Sequence, residues 1–153
     1  MKYLLATTAA LAVAGPACAQ DIRLTPLVDG RVRYEHVEQD GIARDADALT
    51  VRVRGGVQAA SGSWSALVEA QGTLAPIDAY YDGVQGAATR PLVADPENIA
   101  LYRAQLQYRT KALAVTAGRQ RIVLDDERFV GNVAFRDNAQ TFDAVRAEMT
   151  AIL

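Results

Sequence analysis

The segment Leu101 to Arg146, LYRAQLQYRTKALAVTAGRQRIVLDDERFVGNVAFRDNAQTFDAVR, decides the fold. It holds two alternating runs joined by a tight polar turn, then a long acidic excursion, then a third run. From Leu101 to Arg109 the positions Leu101, Arg103, Gln105, Gln107 and Arg109 are mostly polar, while Ala100, Tyr102, Ala104, Leu106 and Tyr108 are apolar or aromatic. A period of two puts these sets on opposite faces of a strand, one wet and one apolar. The apolar face must meet either a protein core or a lipid bilayer.

The same alternation recurs upstream. Val28 to His36 sets Asp29, Arg31, Arg33 and Glu35 against Val28, Gly30, Val32 and Tyr34. Leu49 to Ala59 sets Leu49, Val51, Val53, Gly55, Val57 and Ala59 against Thr50, Arg52, Arg54, Gly56 and Gln58. Trp64 to Gln71 sets Trp64, Ala66, Val68 and Ala70 against Ser65, Leu67, Glu69 and Gln71, and a sixth strand begins near Thr141. No segment keeps a helical period, so the chain is predicted all-β, an antiparallel up-and-down meander of about six strands.

The connections alternate in length. They run Val37–Ala48, Ala60–Ser63, Gly72–Asn98, Thr110–Lys111 and Ile122–Gln140: long, short, long, short, long. Long loops at one end and short turns at the other are the habit of transmembrane barrels, and most runs are near the 9 to 11 residues a tilted span needs. Tyr34 and Trp64 sit on the apolar face near strand ends, where an interfacial girdle wants them, although cross-strand core aromatics would occupy the same positions. Six strands do not close a barrel, for which about eight is the usual minimum. The expectation is therefore the N-terminal portion of a longer transmembrane β-barrel, truncated after Leu153.

Met1 to Ala19 reads as a secretory signal peptide: Lys2, an apolar run from Leu4 to Gly15, then Ala17-Cys18-Ala19 before Gln20. The apolar run falls short of the roughly 20 residues of a membrane helix. The barrel portion is then 20–153, without cysteine, since Cys18 is the only one. Export without disulfides leaves sheet, core or lipid to hold the fold. The formal charge is −2 for the whole chain, and −3 once Lys2 is removed with the leader. Neither value points to nucleic acid, and no nucleic-acid partner is expected.

Location separates the charges. The strands carry Arg31, Arg33, Arg52, Arg54, Arg103, Arg109, Arg119, Arg121 and Arg146 against Asp29, Glu35, Glu69, Asp143 and Glu148, whereas the long loops are rich in Asp and Glu. A polar face lining a lumen would present a basic wall, and a low-dielectric channel focuses such a field. Arginine also forks two hydrogen bonds to a carboxylate. Arg31, Arg33, Arg52, Arg54, Arg103 and Arg109 are the expected pore-lining residues, with Arg119, Arg121, Arg146 and Glu69 as further pore or rim positions. Arg119 and Arg121 share parity with Leu113, Val115 and Ala117, so they face lipid unless Gly118 bulges or the strand has left the hydrocarbon. The competing reading is a solvated face whose arginines pair with cross-strand acids.

Catalytic chemistry is not expected. His36 is the only histidine, which excludes a His/Cys metal site and a Cys-His pair. A Ser-His-Asp arrangement would need His36 beside Ser61, Ser63 or Ser65, at the opposite end of the sheet. Asp125-Asp126-Glu127 reads as a solvated loop, with calcium as its functional alternative. Tyr80-Tyr81 could stack on a sugar ring. No cofactor or resident metal is assigned.

The segment TAGRQRIVLDDERFVGNVAFRDNAQTFDAVR, with VRYEHVEQDG at Val32–Gly41 and VADPENIALYRAQLQY at Val93–Tyr108, resembles the alginate export family of Gram-negative outer-membrane proteins. The resemblance implies a barrel of about eighteen strands whose founding members pass an anionic uronic-acid polymer through an arginine-rich pore. The expectation is thus a porin-like channel in the outer membrane, in contact with its lipid, passing anionic saccharides or small anionic solutes. The alternatives are a non-transporting barrel fragment, or a soluble periplasmic β-protein binding an anionic ligand.

Overall fold

The computed structural model describes residues 21–86 and 88–149. The expected signal peptide, Met1–Ala19, lies outside them.

Six strands form one antiparallel sheet in chain order, joined only to sequence neighbours. They are β1 (Arg23–Val37), β2 (Ala46–Ser61), β3 (Trp64–Ala79), β4 (Asn98–Arg109), β5 (Leu113–Gln120) and β6 (Phe142–Met149). The all-β meander is as predicted, and no α-helix occurs among the described residues. β1 to β4 extend beyond their predicted limits, because β-pairing continues through Arg23–Leu27 and Thr73–Ala79, where the alternation of side chains is poor. Loops of residues 38–45, 80–97 and 121–141 lie at one end, and turns 62–63 and 110–112 at the other.

Burial across this sheet is inverted relative to a water-soluble sandwich. Thr50, Arg52, Arg54, Glu69, Gln71, Thr73, Thr116 and Gln120 are all buried. The opposite face carries Val28, Val32, Val53, Val57, Val68, Leu74, Ile99, Leu106 and Val145, all exposed. Polar side chains therefore occupy the covered face and aliphatic ones the open face. At the long-loop end, Ala46 and Ala48 of β2 meet Tyr80 and Val93 of the 80–97 loop in a small apolar cluster, with Val37 and Ala75 against it.

Two irregularities adjust the faces. Between β2 and β3 the register slips at Leu49/Val51, so that Ala75 and Pro76 together oppose Thr50 in a bulge of one extra residue. A proline is tolerated there because it has no N–H to give to a ladder. Between β3 and β4, Glu69 faces Arg103 while the adjoining Ala70 faces Leu101, which leaves Tyr102 as the inserted residue. This corrects the predicted strand: Tyr102 is buried on the polar face and Leu101 is exposed. A bulge of this kind turns two consecutive residues to nearly the same side.

Aromatic residues mark both ends of the open face. Trp64 and Tyr108 are direct cross-strand partners beside the short turns, with ring centroids 4.9 Å apart. Tyr34 lies exposed towards the long loops, opposite Leu49.

Candidate functional site

The covered face is a lattice of arginines and acids whose order follows from register. Arg52 bonds Asp29 of β1, Arg103 bonds Glu69 of β3 at 2.6 Å, and Arg146 bonds Glu148 on its own strand at 3.0 Å. Arg33 bonds both Glu35 and Asp95. Arg31 lies 3.6 Å from Asp137 and donates to the Ala134 carbonyl at 2.9 Å. Of the six residues expected to line a pore, Arg31, Arg33, Arg52 and Arg103 thus have carboxylate partners.

The two long-range acids come from loops. Asp95 and Asp137 have no exposed surface, although both belong to the long acidic loops. Asp137 accepts from the Thr50 hydroxyl, and its carbonyl accepts from Arg54 at 3.3 Å. Asn138 receives Gln71 at 3.0 Å and Thr73 at 3.3 Å, and donates to the Pro96 carbonyl at 2.6 Å. The 121–141 loop is therefore folded down on the sheet rather than standing off it. The cause is electrostatic: taking an arginine from water is costly unless a carboxylate and further hydrogen bonds satisfy it.

Arg54 is the exception among the buried arginines. Its Nε donates to Gln71 at 2.7 Å, and its guanidinium lies 3.7 Å from the centroid of the Tyr102 ring. Such a stack contributes about 0.5–2 kcal/mol. No carboxylate stands within ion-pair distance of Arg54 among the described residues. The bulge at Tyr102 creates the stack, because a regular strand would send that ring to the open face. Beside it, Asp29, Arg54, Glu69, Tyr102, Arg103 and Arg121 line an opening of about 220 Å³. An adjoining opening of about 260 Å³ is bordered by Arg103, Gln105, Gln120, Arg121 and Arg146.

Arg121 thus reaches the polar side, past the end of β5. Arg119 does not. It keeps the open-face parity, opposite Ala104 and Asp143, and its guanidinium forks onto Asp143 at 2.9 and 2.7 Å. Gly118 has φ +111°, yet the ladder shows no register shift there, so the glycine changes the backbone without flipping Arg119. Arg109 is exposed at the short-turn end, with Gln107 as its side-chain partner at 3.3 Å.

Tyr80 closes the loop end, donating its hydroxyl to the Asp95 carbonyl at 3.0 Å. Burial, with nearby Asp82 and Asp95, pushes its pKa up to about 12. Its ring is covered, whereas Tyr81 bonds the Gly83 carbonyl at 3.0 Å; the pair does not form a stacking platform. Asp125, Asp126 and Glu127 all have positive φ and are exposed. Among the described residues they do not converge, whereas His36, Glu38 and Asp45 do. His36 lies far from the short turns that carry Ser63 and Ser65, as expected.

Comparison with family models, curated proteins and solved structures finds no match to this chain.

Proposed function

We propose that this chain is part of an outer-membrane β-barrel of the alginate-export type, whose covered face lines a channel for anionic saccharides or small anionic solutes. The observation that carries the reading is the inverted burial: charged and polar residues are covered, while Val28 is 85% and Ile99 88% exposed. A continuous aliphatic face in water is an aggregation hazard, and lipid removes it. The loop rhythm and the aromatic residues at both ends support the same placement. Further strands are required to close a barrel, because six are too few and each unpaired edge group is costly in hydrocarbon. Export by the N-terminal leader completes the proposal.

The anion contact in this reading is narrower than a wall of six arginines. Arg31, Arg33, Arg52 and Arg103 are largely compensated, so attraction concentrates around Arg54, Arg121 and the edge of Arg103. The 121–141 loop acts as an inward constriction. One observation favours a second reading: Asp95 and Asp137 seal that loop onto the sheet, as expected of a plugged barrel segment that does not transport.

Reconstitution in planar bilayers separates these. Anion-selective conductance that falls on Arg54→Ala with Arg121→Ala supports the channel. Membrane insertion with heat-modifiable gel mobility but no conductance favours the plugged segment. A chain that stays monomeric and folded without detergent overturns both and leaves the periplasmic binding protein.

A further inference from the structure

A cluster outside the charged face lies where β1 and β2 leave the sheet. His36 and Asp47 are direct cross-strand partners, and Glu38 and Asp45 follow immediately past the last pair of the ladder, Val37–Ala46. Directly opposed strand residues bring their side chains within about 5 Å, and the chain leaving each strand keeps Glu38 and Asp45 beside His36. Four potential ligands thus gather at one hairpin end, beyond the apolar belt.

The hydrogen bonds orient the imidazole. His36 Nδ1 lies 2.9 Å from Asp47 Oδ1. A carboxylate only accepts, so Nδ1 carries a hydrogen, and a cation that binds at Nε2 takes the place of that nitrogen's proton. Tyr34 donates to the same Asp47 oxygen at 2.8 Å, which fixes that carboxylate. Nε2 faces Glu38 Oε1 at 3.4 Å. Arg90 donates to the main-chain carbonyl of Asp45 at 2.5 Å, holding the loop while leaving the Asp45 carboxylate for a cation. One ligand atom each from His36, Glu38 and Asp45 lies within 4.8 Å of the others.

We propose that His36 Nε2, Glu38 and Asp45 form a surface site for a borderline divalent cation of the Zn²⁺ type, with Asp47 as the positioning residue. An imidazole nitrogen with two carboxylates suits zinc, whose fourth position water fills, whereas calcium demands oxygen ligands in greater number. The present span exceeds the roughly 3.3 Å between ligands of a tetrahedral zinc site. Glu38, whose side chain is 77% exposed, already stands 3.4 Å from His36 Nε2, so the closure falls to Asp45. A carboxylate on the far nitrogen of a metal-binding histidine holds the ring and raises its basicity. The site is independent of the channel reading.

The test is calorimetric titration of the full chain, folded in detergent micelles, with Zn²⁺ and separately with Ca²⁺. One Zn²⁺ binds per chain with a micromolar Kd, and Ca²⁺ gives no comparable binding. His36→Gln weakens Zn²⁺ at least about 30-fold and Asp47→Asn about 10-fold or more, while Asp125→Asn with Asp126→Asn leaves it unchanged. The His36 ring resonances shift on Zn²⁺ addition. His36, Asp125 and Asp126 are exposed and Asp47 is half-buried with an isosteric replacement, so the variants keep the parent circular dichroism. No Zn²⁺ binding by the folded parent, parent-like affinity in His36→Gln, equal affinity for Ca²⁺, or loss in the Asp125/Asp126 variant overturns the site.

Discussion

Asp137 donates its main-chain N–H to Asp95 Oδ1 at 2.8 Å, which ties two loops together across 42 residues of sequence. Asn138 donates to the same oxygen at 3.2 Å, while the other Asp95 oxygen takes Arg33. Asp95 is therefore the latch between the 80–97 loop, the 121–141 loop and the sheet.

Asp95→Ala leaves two buried N–H groups without their acceptor and removes one of the two carboxylates on Arg33. The expected loss of stability is about 3 kcal/mol, within the range for breaking one partner of a buried charged network. Equilibrium denaturation in detergent measures it. On the channel reading, single-channel conductance rises in the same variant because the constriction is unlatched. Unchanged conductance with lowered stability would show that the loop does not control the opening.

Much of this fold was legible because strand alternation is local. Trp64, Ala66, Val68 and Ala70 can be assigned to one face without knowing any partner strand, and the loop rhythm follows from where alternation stops. The insertion at Tyr102 was not legible, because a bulge is defined only against the opposing strand, here by the jump from Glu69–Arg103 to Ala70–Leu101. The candidate arginines were visible, but their compensation was not. Arg33–Asp95 and Arg31–Asp137 join residues 62 and 106 apart, and nothing in a run of loop acids separates a buried latch from a solvated one. The His36 cluster was missed for a related reason: Glu38, Asp45 and Asp47 become its neighbours only through the β1–β2 register.

Val68→Arg tests where the open face resides. Val68 is 53% exposed on the open face of β3, four residues inward from Trp64 and between Val57 and Ala104 on its neighbours. In water an exposed substitution of this kind changes stability by about 0.5 kcal/mol or less. In a bilayer, arginine near the midplane costs about 2–4 kcal/mol. Refolding into lipid vesicles at increasing urea distinguishes the two, and a near-zero difference argues against lipid contact at this face.

Trp64 is the only tryptophan, so its fluorescence reports one position without ambiguity. It packs on Tyr108 at the short-turn end of the open face. Quencher-labelled lipids should dim it strongly when the label is near the headgroups and weakly when it is at the bilayer centre. Insensitivity to both labels removes Trp64 from the interface. Tyr108→Ala removes an aromatic pair worth about 0.5–1.5 kcal/mol beyond its area, and should broaden the emission without abolishing quenching.

Gly118→Ala probes the β4–β5 hairpin. At φ +111° a Cβ would meet the Ala104 carbonyl oxygen at 2.3 Å, so the strand must shift. A non-glycine residue in that region costs roughly 1–3 kcal/mol. The expected result is selective loss of amide protection in β4, β5 and β6, with β1–β2 protection retained, read by hydrogen exchange. Uniform loss across the sheet would show that the six strands open as one cooperative unit.

Tyr80 supplies the pH dependence. Its ordinary pKa of 10.0 is raised to about 12 in the folded chain, first by burial and then by surrounding carboxylates. A phenol with a raised folded pKa contributes stability that is complete below the unfolded value and lost as pH climbs through the folded one. Stability attributable to Tyr80 therefore holds below pH 10 and declines between 10 and about 12. Tyr80→Phe keeps the ring among Ala46, Ala48 and Val93 but gives up the hydroxyl bond to the Asp95 carbonyl, so it is slightly less stable at neutral pH. The difference between parent and variant should shrink and then reverse sign across that alkaline window, because ionised tyrosine cannot donate to a carbonyl and carries a charge into a buried place already crowded with acids. Parallel denaturation curves from pH 8 upward check it, and a gap that stays constant would mean the phenol titrates as if it were in water.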